Sequence, residues 1–239
     1  ANMQKFFICF FILLFTNSVL AGDHSDSDKN IQDRARDLLR NIFNDNSKHV
    51  TKNMDVELFD IQDGQTPRAT VVSCSDSRVQ SSTIDDTPVN DLFYIRNIGN
   101  QIESAKGSVR YGVQYLHTPV LLIIGHVECG AVKAAIGDYK KKPQDLRKEL
   151  YTFDFPDGIS GKDGVIHNIH NQVDTALQMF VPEVKDNKLV VIGAIYDFKN
   201  EYKQGYNRLI ILNLNGEKDP KIIAKSPYLK GIKDLKVGV

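Results

Sequence analysis

Two segments of this 239-residue chain place metal-binding and charged side chains directly after apolar runs. Cys74-Ser75-Asp76-Ser77-Arg78 follows the run Ala69 to Ser73, and His126-Val127-Glu128-Cys129-Gly130 follows Val120 to Gly125. Cys129 lies three residues after His126, whereas Cys74 lies fifty-two residues before it, so a site that uses all three is assembled by the fold and not by a local loop. Two thiolates and one imidazole form the donor set of a catalytic zinc, which keeps three protein ligands and a fourth position for water. A structural zinc site is normally closed by four ligands, often arriving as C-x-x-C pairs, and that pairing is absent. A Cys74–Cys129 disulfide and two inert buried thiols are the alternatives for these cysteines.

Asp76 and Arg78 share the first of these segments. By default such a pair is a surface salt bridge of small energetic value. Beside a zinc ion it acquires a role, because Arg78 keeps Asp76 ionised and away from the metal, and Asp76 can then accept a hydrogen bond from the attacking water.

The elements that must position these residues are legible as apolar runs. Ala69–Ser73, Leu92–Ile95, Val120–Ile124, Leu189–Ile192 and Leu209–Leu214 have strand length and nearly continuous hydrophobicity, as expected for a mostly parallel sheet covered on both faces. Helical spacing lies between them, over 104–116 and 165–180. Strand alternating with helix predicts an α/β fold with a mostly parallel central sheet flanked by helices. In such sheets ligands gather at the carboxyl ends of the strands, which is where both chemical segments fall. The polar stretch 137–164 reads as a solvated helix and loop. Ile31, Ala35, Leu38, Leu39 and Ile42 recur at helical spacing and predict an N-terminal helical arm over 22–47, ahead of a single domain over 48–239.

Thirty basic residues balance thirty acidic ones, so no bulk charge favours nucleic acid or an anionic membrane. Three cysteines, Cys9, Cys74 and Cys129, are too few for a disulfide scaffold. Lys5, the apolar run Phe6–Thr16 and Ala21 form a secretory signal peptide over 1–21, with Met3 as its start and Ala1 and Asn2 as non-native residues. The run is too short to span a bilayer, which takes about twenty residues. The expected mature protein is exported, periplasmic or secreted, without a membrane segment. Cleavage leaves 29 basic and 30 acidic residues and two cysteines, in a compartment that oxidises unprotected thiols.

Taken together, Cys74-Ser-Asp-Ser-Arg-Val79 and His126-x-x-Cys129-Gly130 resemble the β-class carbonic anhydrases. The resemblance continues through Gly64-Gln65-x-Pro67, Arg96-Asn97-x-Gly99-Asn100, Ser108-x-x-Tyr111-Gly112-Val113 and Gly193-Ala-x-Tyr196-Asp197, and covers roughly residues 55 to 200 in the family's order. It implies that Cys74, His126 and Cys129 hold one Zn2+ per subunit, that Asp76 and Arg78 are the catalytic dyad, and that Asp76 ligates the metal in a closed form. It further implies that Gln65, Phe93, Tyr111 and Gly130 line the substrate cleft, and that a neighbouring subunit completes that cleft. The helical arm would then embrace a partner in a homodimer or a tetramer of dimers. Three features depart from the family: the chain has no tryptophan for a bicarbonate pocket, no proline in Val79-Gln80-Ser81-Ser82, and a secretory leader.

The reaction implied is reversible hydration of carbon dioxide to bicarbonate and a proton, since zinc lowers the pKa of bound water to about 7. A related hydrolase acting on carbon disulfide or carbonyl sulfide is an alternative, as is a non-catalytic zinc-binding or interaction protein on the same fold. A thiol-redox role fits least, for want of C-x-x-C. His167 and His170 stand three apart on a predicted helix without a nearby carboxylate or cysteine, so surface or core roles are expected for them.

Overall fold

The computed structural model describes residues 31–52 and 61–239, and the signal-peptide reading over 1–21 lies outside them. The chain divides into two compact units, one up to Asp60 and one from Ile61 onward. In the first, α1 runs from Ile31 to Lys52. It passes through the expected arm boundary at residue 47, because the polar cluster after Phe43 supports the helix instead of ending it. Ser47 Oγ donates to the Phe43 carbonyl, and Lys48 pairs with Asp45 one turn back, as Arg36 does with Asp33. The stripe of Ile31, Leu38, Leu39, Ile42 and Phe43 is exposed within this unit.

The second unit is built on a five-stranded sheet in the order β2-β1-β3-β4-β5. Its strands are β1 (Ala69–Cys74), β2 (Leu92–Asn97), β3 (Val120–His126), β4 (Val190–Asp197) and β5 (Arg208–Leu214). All five apolar runs form strands. The first four are parallel and β5 runs antiparallel to β4. Beyond β5 the chain returns along its outer edge, where Ile211 N–H donates to the Lys236 carbonyl and Gly238 N–H to that of Ile211, both at 2.9 Å.

Between β2 and β3 the expected helix over 104–116 forms in three pieces. A 3₁₀ turn, Glu103–Ala105, leads into α2 (Lys106–Arg110), which widens into a π-helical turn over Tyr111–Tyr115. Apolar spacing cannot distinguish these, since all three present similar faces. The segment ends at His117, which adopts φ +55°. The remaining helices are α3 (Gly130–Ile136), α4 (Gln144–Leu150), α5 (Gly161–Met179), α6 (Val181–Lys185) and α7 (Pro220–Ile223). The polar stretch 137–164 is thus a 3₁₀ turn, α4 and loops, as its composition predicts. α5 starts at Ser160, whose side chain caps the helix by accepting from the Asp163 N–H.

α5 lies across the sheet with Ile169, Val173 and Ala176 fully buried. It approaches so closely because β3 and β4 present glycines beneath it. A Cβ at Gly193 would stand 2.8 Å from both Ile169 Cγ2 and Val173 Cγ2, and one at Gly125 would stand 2.7 Å from Ile169 Cδ1. Gly193→Ala is therefore expected to overpack this contact and destabilise the fold by about 1–3 kcal/mol. Urea unfolding checks this, and an unchanged midpoint would mean that α5 does not sit so near the sheet.

Candidate metal centre

The parallel register determines what meets what. Cys74 ends β1 beside Asn97, and His126 ends β3 beside Tyr196, so both side chains leave the sheet at the carboxyl ends of neighbouring strands. The chain then turns back through Glu128, at φ +59°, and Cys129 becomes the N-cap of α3. As a result, Cys74, His126 and Cys129, all buried, bring their ligating atoms within 4.8 Å of one another. They form the one such group of three among the described residues. The two cysteines are free thiols, which rules out a disulfide between them in this structure.

The donor set fits zinc. His126 Nδ1 lies 2.9 Å from the Val127 carbonyl oxygen, an acceptor only, so Nδ1 carries the hydrogen and Nε2 keeps its lone pair. Nε2 is buried with no hydrogen-bond partner, facing two sulfurs. A buried lone pair left unbonded costs about 1–3 kcal/mol, and a metal ion relieves that cost. The thiols are linked as well. Cys74 is pulled down to about 4, first by its contact with Cys129 and then by His126 and the Gly99 N–H, against the effect of burial. Cys129 is pushed up by the same contact and by burial. One proton shared between two crowded sulfurs is the metal-free form of a dithiolate ligand pair.

Asp76 stands at the rim, with Oδ2 3.9 Å from His126 Nε2. Arg78 holds both of its oxygens: the backbone N–H and Nε donate to Oδ1 at 3.0 and 2.9 Å, and Nη2 donates to Oδ2 at 2.7 Å. These bonds, opposed by partial burial, hold the Asp76 carboxyl well below the usual carboxylate range. The Asp76 and Arg78 pair is therefore formed as an ion pair, with Asp76 turned to the arginine. Gly130, the first residue of α3, is exposed, and a Cβ there would meet nothing within 4 Å.

The other cleft residues lie elsewhere in the chain. Phe93 is level with Thr70, four residues before the Cys74 and Asn97 pair, or about 13 Å along the strand. Tyr111 packs on Phe93, with ring centroids 5.8 Å apart, and stacks on Tyr115 at the same separation. Gln65 is exposed in the loop that precedes β1. Within one chain Gln65, Phe93 and Tyr111 thus cluster toward the amino ends of β1 and β2, whereas the ligands occupy the carboxyl ends. His167 and His170 form no metal group: His167 packs near Phe155, and His170, held down to about 4 mainly by burial, lies 3.2 Å from the Asn213 amide.

Two supports were not legible as such. Arg96, seen in the sequence only as part of a motif, donates to the Cys74 and Asp76 carbonyls at 3.1 and 2.8 Å and to Gln80 Oε1 at 3.0 Å, and so clamps the turn that carries the dyad. Behind Gly99, the side chains of Gln101, Asn168 and Gln172 form a buried hydrogen-bonded network that ties the loop after β2 to α5. A buried polar residue gives no periodic signal from which such pairing can be read.

The segment carrying this site has known counterparts. Residues 69–154 match the family described as carbonic anhydrase. A stretch of 74 residues is 43% identical to carbonic anhydrase 2 of Mycobacterium tuberculosis, covering 30% of this chain and 36% of that protein. The matched segment, which contains all three candidate ligands, is similar to carbonic anhydrases. It is also 33% identical over 102 residues to the carbonic anhydrase of Emericella nidulans, covering 40% of this chain and 45% of that one. The chain thus spans between about a third and a half of the length of these curated relatives. In fold it is similar to the β-carbonic anhydrase CcaA, with a TM-score of 0.59 and 24% identity over 69% of this chain and 83% of that one. It is likewise similar to a tetrameric β-carbonic anhydrase of Sordaria macrospora, with a TM-score of 0.61 and 20% identity over 76% and 98% of the two chains.

Arg96→Met should release the turn that carries Cys74 and Asp76. The expected loss is about 2–3 kcal/mol of stability, from two carbonyls left without their donor, and about tenfold in zinc affinity. Denaturant unfolding and competition with a zinc chelator measure the two, and a variant with unchanged zinc affinity would show that the clamp does not support the site.

Proposed function

We propose that this protein is a zinc-dependent carbonic anhydrase, converting carbon dioxide and water to bicarbonate and a proton. The observation that carries the reading is the buried, unbonded Nε2 of His126 facing the Cys74 and Cys129 sulfurs, with the Asp76 and Arg78 pair at its rim. Cys74, His126 and Cys129 would hold the metal. Zinc supplies there a Lewis acid that makes water acidic enough to provide a nucleophile at neutral pH.

The chain's own residues do the rest. Asp76, kept ionised by Arg78, accepts a hydrogen bond from the attacking water and so turns the oxygen lone pair toward the carbon. With Arg78 occupying both of its oxygens, the carboxylate is held as an acceptor and not as a fourth ligand. The open space at Gly130 leaves room for a small linear substrate. Gln65, Phe93 and Tyr111 would complete the cleft from a second copy, offering one amide donor and an apolar wall suited to an uncharged molecule. The separation of this cluster from the ligands within one chain supports a homodimer, as does the exposed apolar stripe of α1, which such a partner would cover. The leader over 1–21 supports export to a periplasm or the exterior.

Zinc analysis and stopped-flow carbon dioxide hydration on the purified protein test the reading. One zinc per chain and activity that a chelator abolishes and zinc restores are expected, together with a higher melting temperature in the zinc-loaded protein. Cys74→Ser should lose the metal. Arg78→Ala and Asp76→Ala should keep it and lose activity by about 100-fold. Wild-type turnover in either dyad variant would reduce the pair to an ordinary salt bridge. Export has a separate check: the mature N-terminus in the native host should be Gly22 or near it, and a full-length cytoplasmic protein would refute it.

A further inference from the structure

Phe198 follows directly after β4, and neither the metal ligands nor the dyad accounts for its placement. Its ring centroid lies 4.5 Å from Arg78 Cζ, 6.2 Å from the His126 ring centroid at an interplanar angle of 29°, and 6.0 Å from that of Tyr196. The ring thus packs against both the metal-ligand imidazole and the arginine of the dyad. We propose that Phe198 is a positioning residue for the Asp76 and Arg78 pair, its ring holding the face of the Arg78 guanidinium while Asp76 holds the edge; this rests on the carbonic anhydrase reading of the site.

The geometry of a guanidinium makes the two restraints independent. Its N–H groups donate in the plane, and its face is free to stack on an aromatic ring. Arg78 uses Nε and Nη2 in the plane on Asp76, and its Cζ sits over the Phe198 ring, 4.5 Å from the centroid. Asp76 Oδ1 is also held by the Arg78 backbone N–H, but the Arg78 side chain is half exposed, which leaves its guanidinium freedom to tilt. A ring on one face removes that freedom.

The ring's own place is built into the backbone. Asp197 is fully buried, and its carboxylate accepts from the Lys199 and Glu201 N–H groups through Oδ1 and from that of Tyr202 through Oδ2. The chain therefore leaves β4 in a tight turn around the Asp197 carboxylate, with Phe198 at its start. Phe198 packs against the buried clusters on both sides, one including Cys74 and Cys129 and the other Val71 and Tyr196. An aliphatic side chain could fill this volume, but only an aromatic face attracts a cation.

The test compares Phe198→Leu with Phe198→Tyr in the zinc-loaded full chain. Phe198→Leu is expected to keep one zinc per chain, to lower kcat/KM about fivefold, the size of one exposed cation–π contact, and to shift the Arg78 Nε–H resonance and speed its exchange with water. Phe198→Tyr is expected to restore both readouts. An unchanged Arg78 resonance in Phe198→Leu would overturn the proposal. So would equal losses in the two variants, which would mark a purely steric role, or loss of zinc from Phe198→Leu, which would assign the ring to His126. Should Phe198→Leu fail to fold, Phe198→Met fills a similar space without the ring and is judged by the same outcomes. A wild-type protein that binds zinc yet hydrates no carbon dioxide would refute the carbonic anhydrase reading alone, and the Arg78 resonance would still decide the role of Phe198.

Discussion

A single lone pair, on Nε2 of a fully buried imidazole, sets the terms for this domain. It survives because the Val127 carbonyl fixes the other ring nitrogen as the donor, leaving Nε2 no tautomeric escape. Among the described residues nothing hydrogen-bonds to it, and two sulfurs from separate stretches of chain lie within 4.8 Å, the arrangement that could hold a metal ion. The parallel pairing of β1 with β3 delivers one of them, and the turn through Glu128 the other. Glu128 pairs with Lys133 and Lys199, so the positive-φ residue between two of the candidate ligands is ion-paired.

Around the ligands lies a second set of constraints that hold backbone more than side chain. Arg96 reaches across from β2 to the carbonyls of Cys74 and Asp76, and the buried amides of Gln101, Asn168 and Gln172 secure the loop whose Gly99 N–H meets the Cys74 sulfur at 3.4 Å. Such networks are costly when incomplete and rigid when satisfied. Their placement here leaves the site few soft directions.

Much of this was legible in the sequence for a simple reason. Buried parallel strands leave continuous apolar runs, so all five strands could be placed, and with them the strand ends on which Cys74 and His126 sit. The Asp76 and Arg78 pair was equally local. What could not be read was distance along a strand: Phe93 and Tyr111 share a cleft with the ligands in the family the sequence resembles, yet the register puts Phe93 four residues from the ligand level in its own chain. The π-helical turn at Tyr111–Tyr115 was hidden because its apolar faces match those of an α-helix. Arg96 and Phe198 act through space on residues about twenty and a hundred and twenty positions away, and no periodicity records that.

The return of the C-terminal residues along β5 bears on how far the sheet can extend. A strand edge is a template for another strand, and here Ile211 spends its outward hydrogen bonds on Lys236 and Gly238 of the same chain. Among the described residues, β2 has no strand on its outer side, so the two margins of the sheet differ: one meets the chain's own C-terminal residues and the other does not. The C-terminal residues therefore shield the β5 edge at Ile211 from pairing with a strand of another chain.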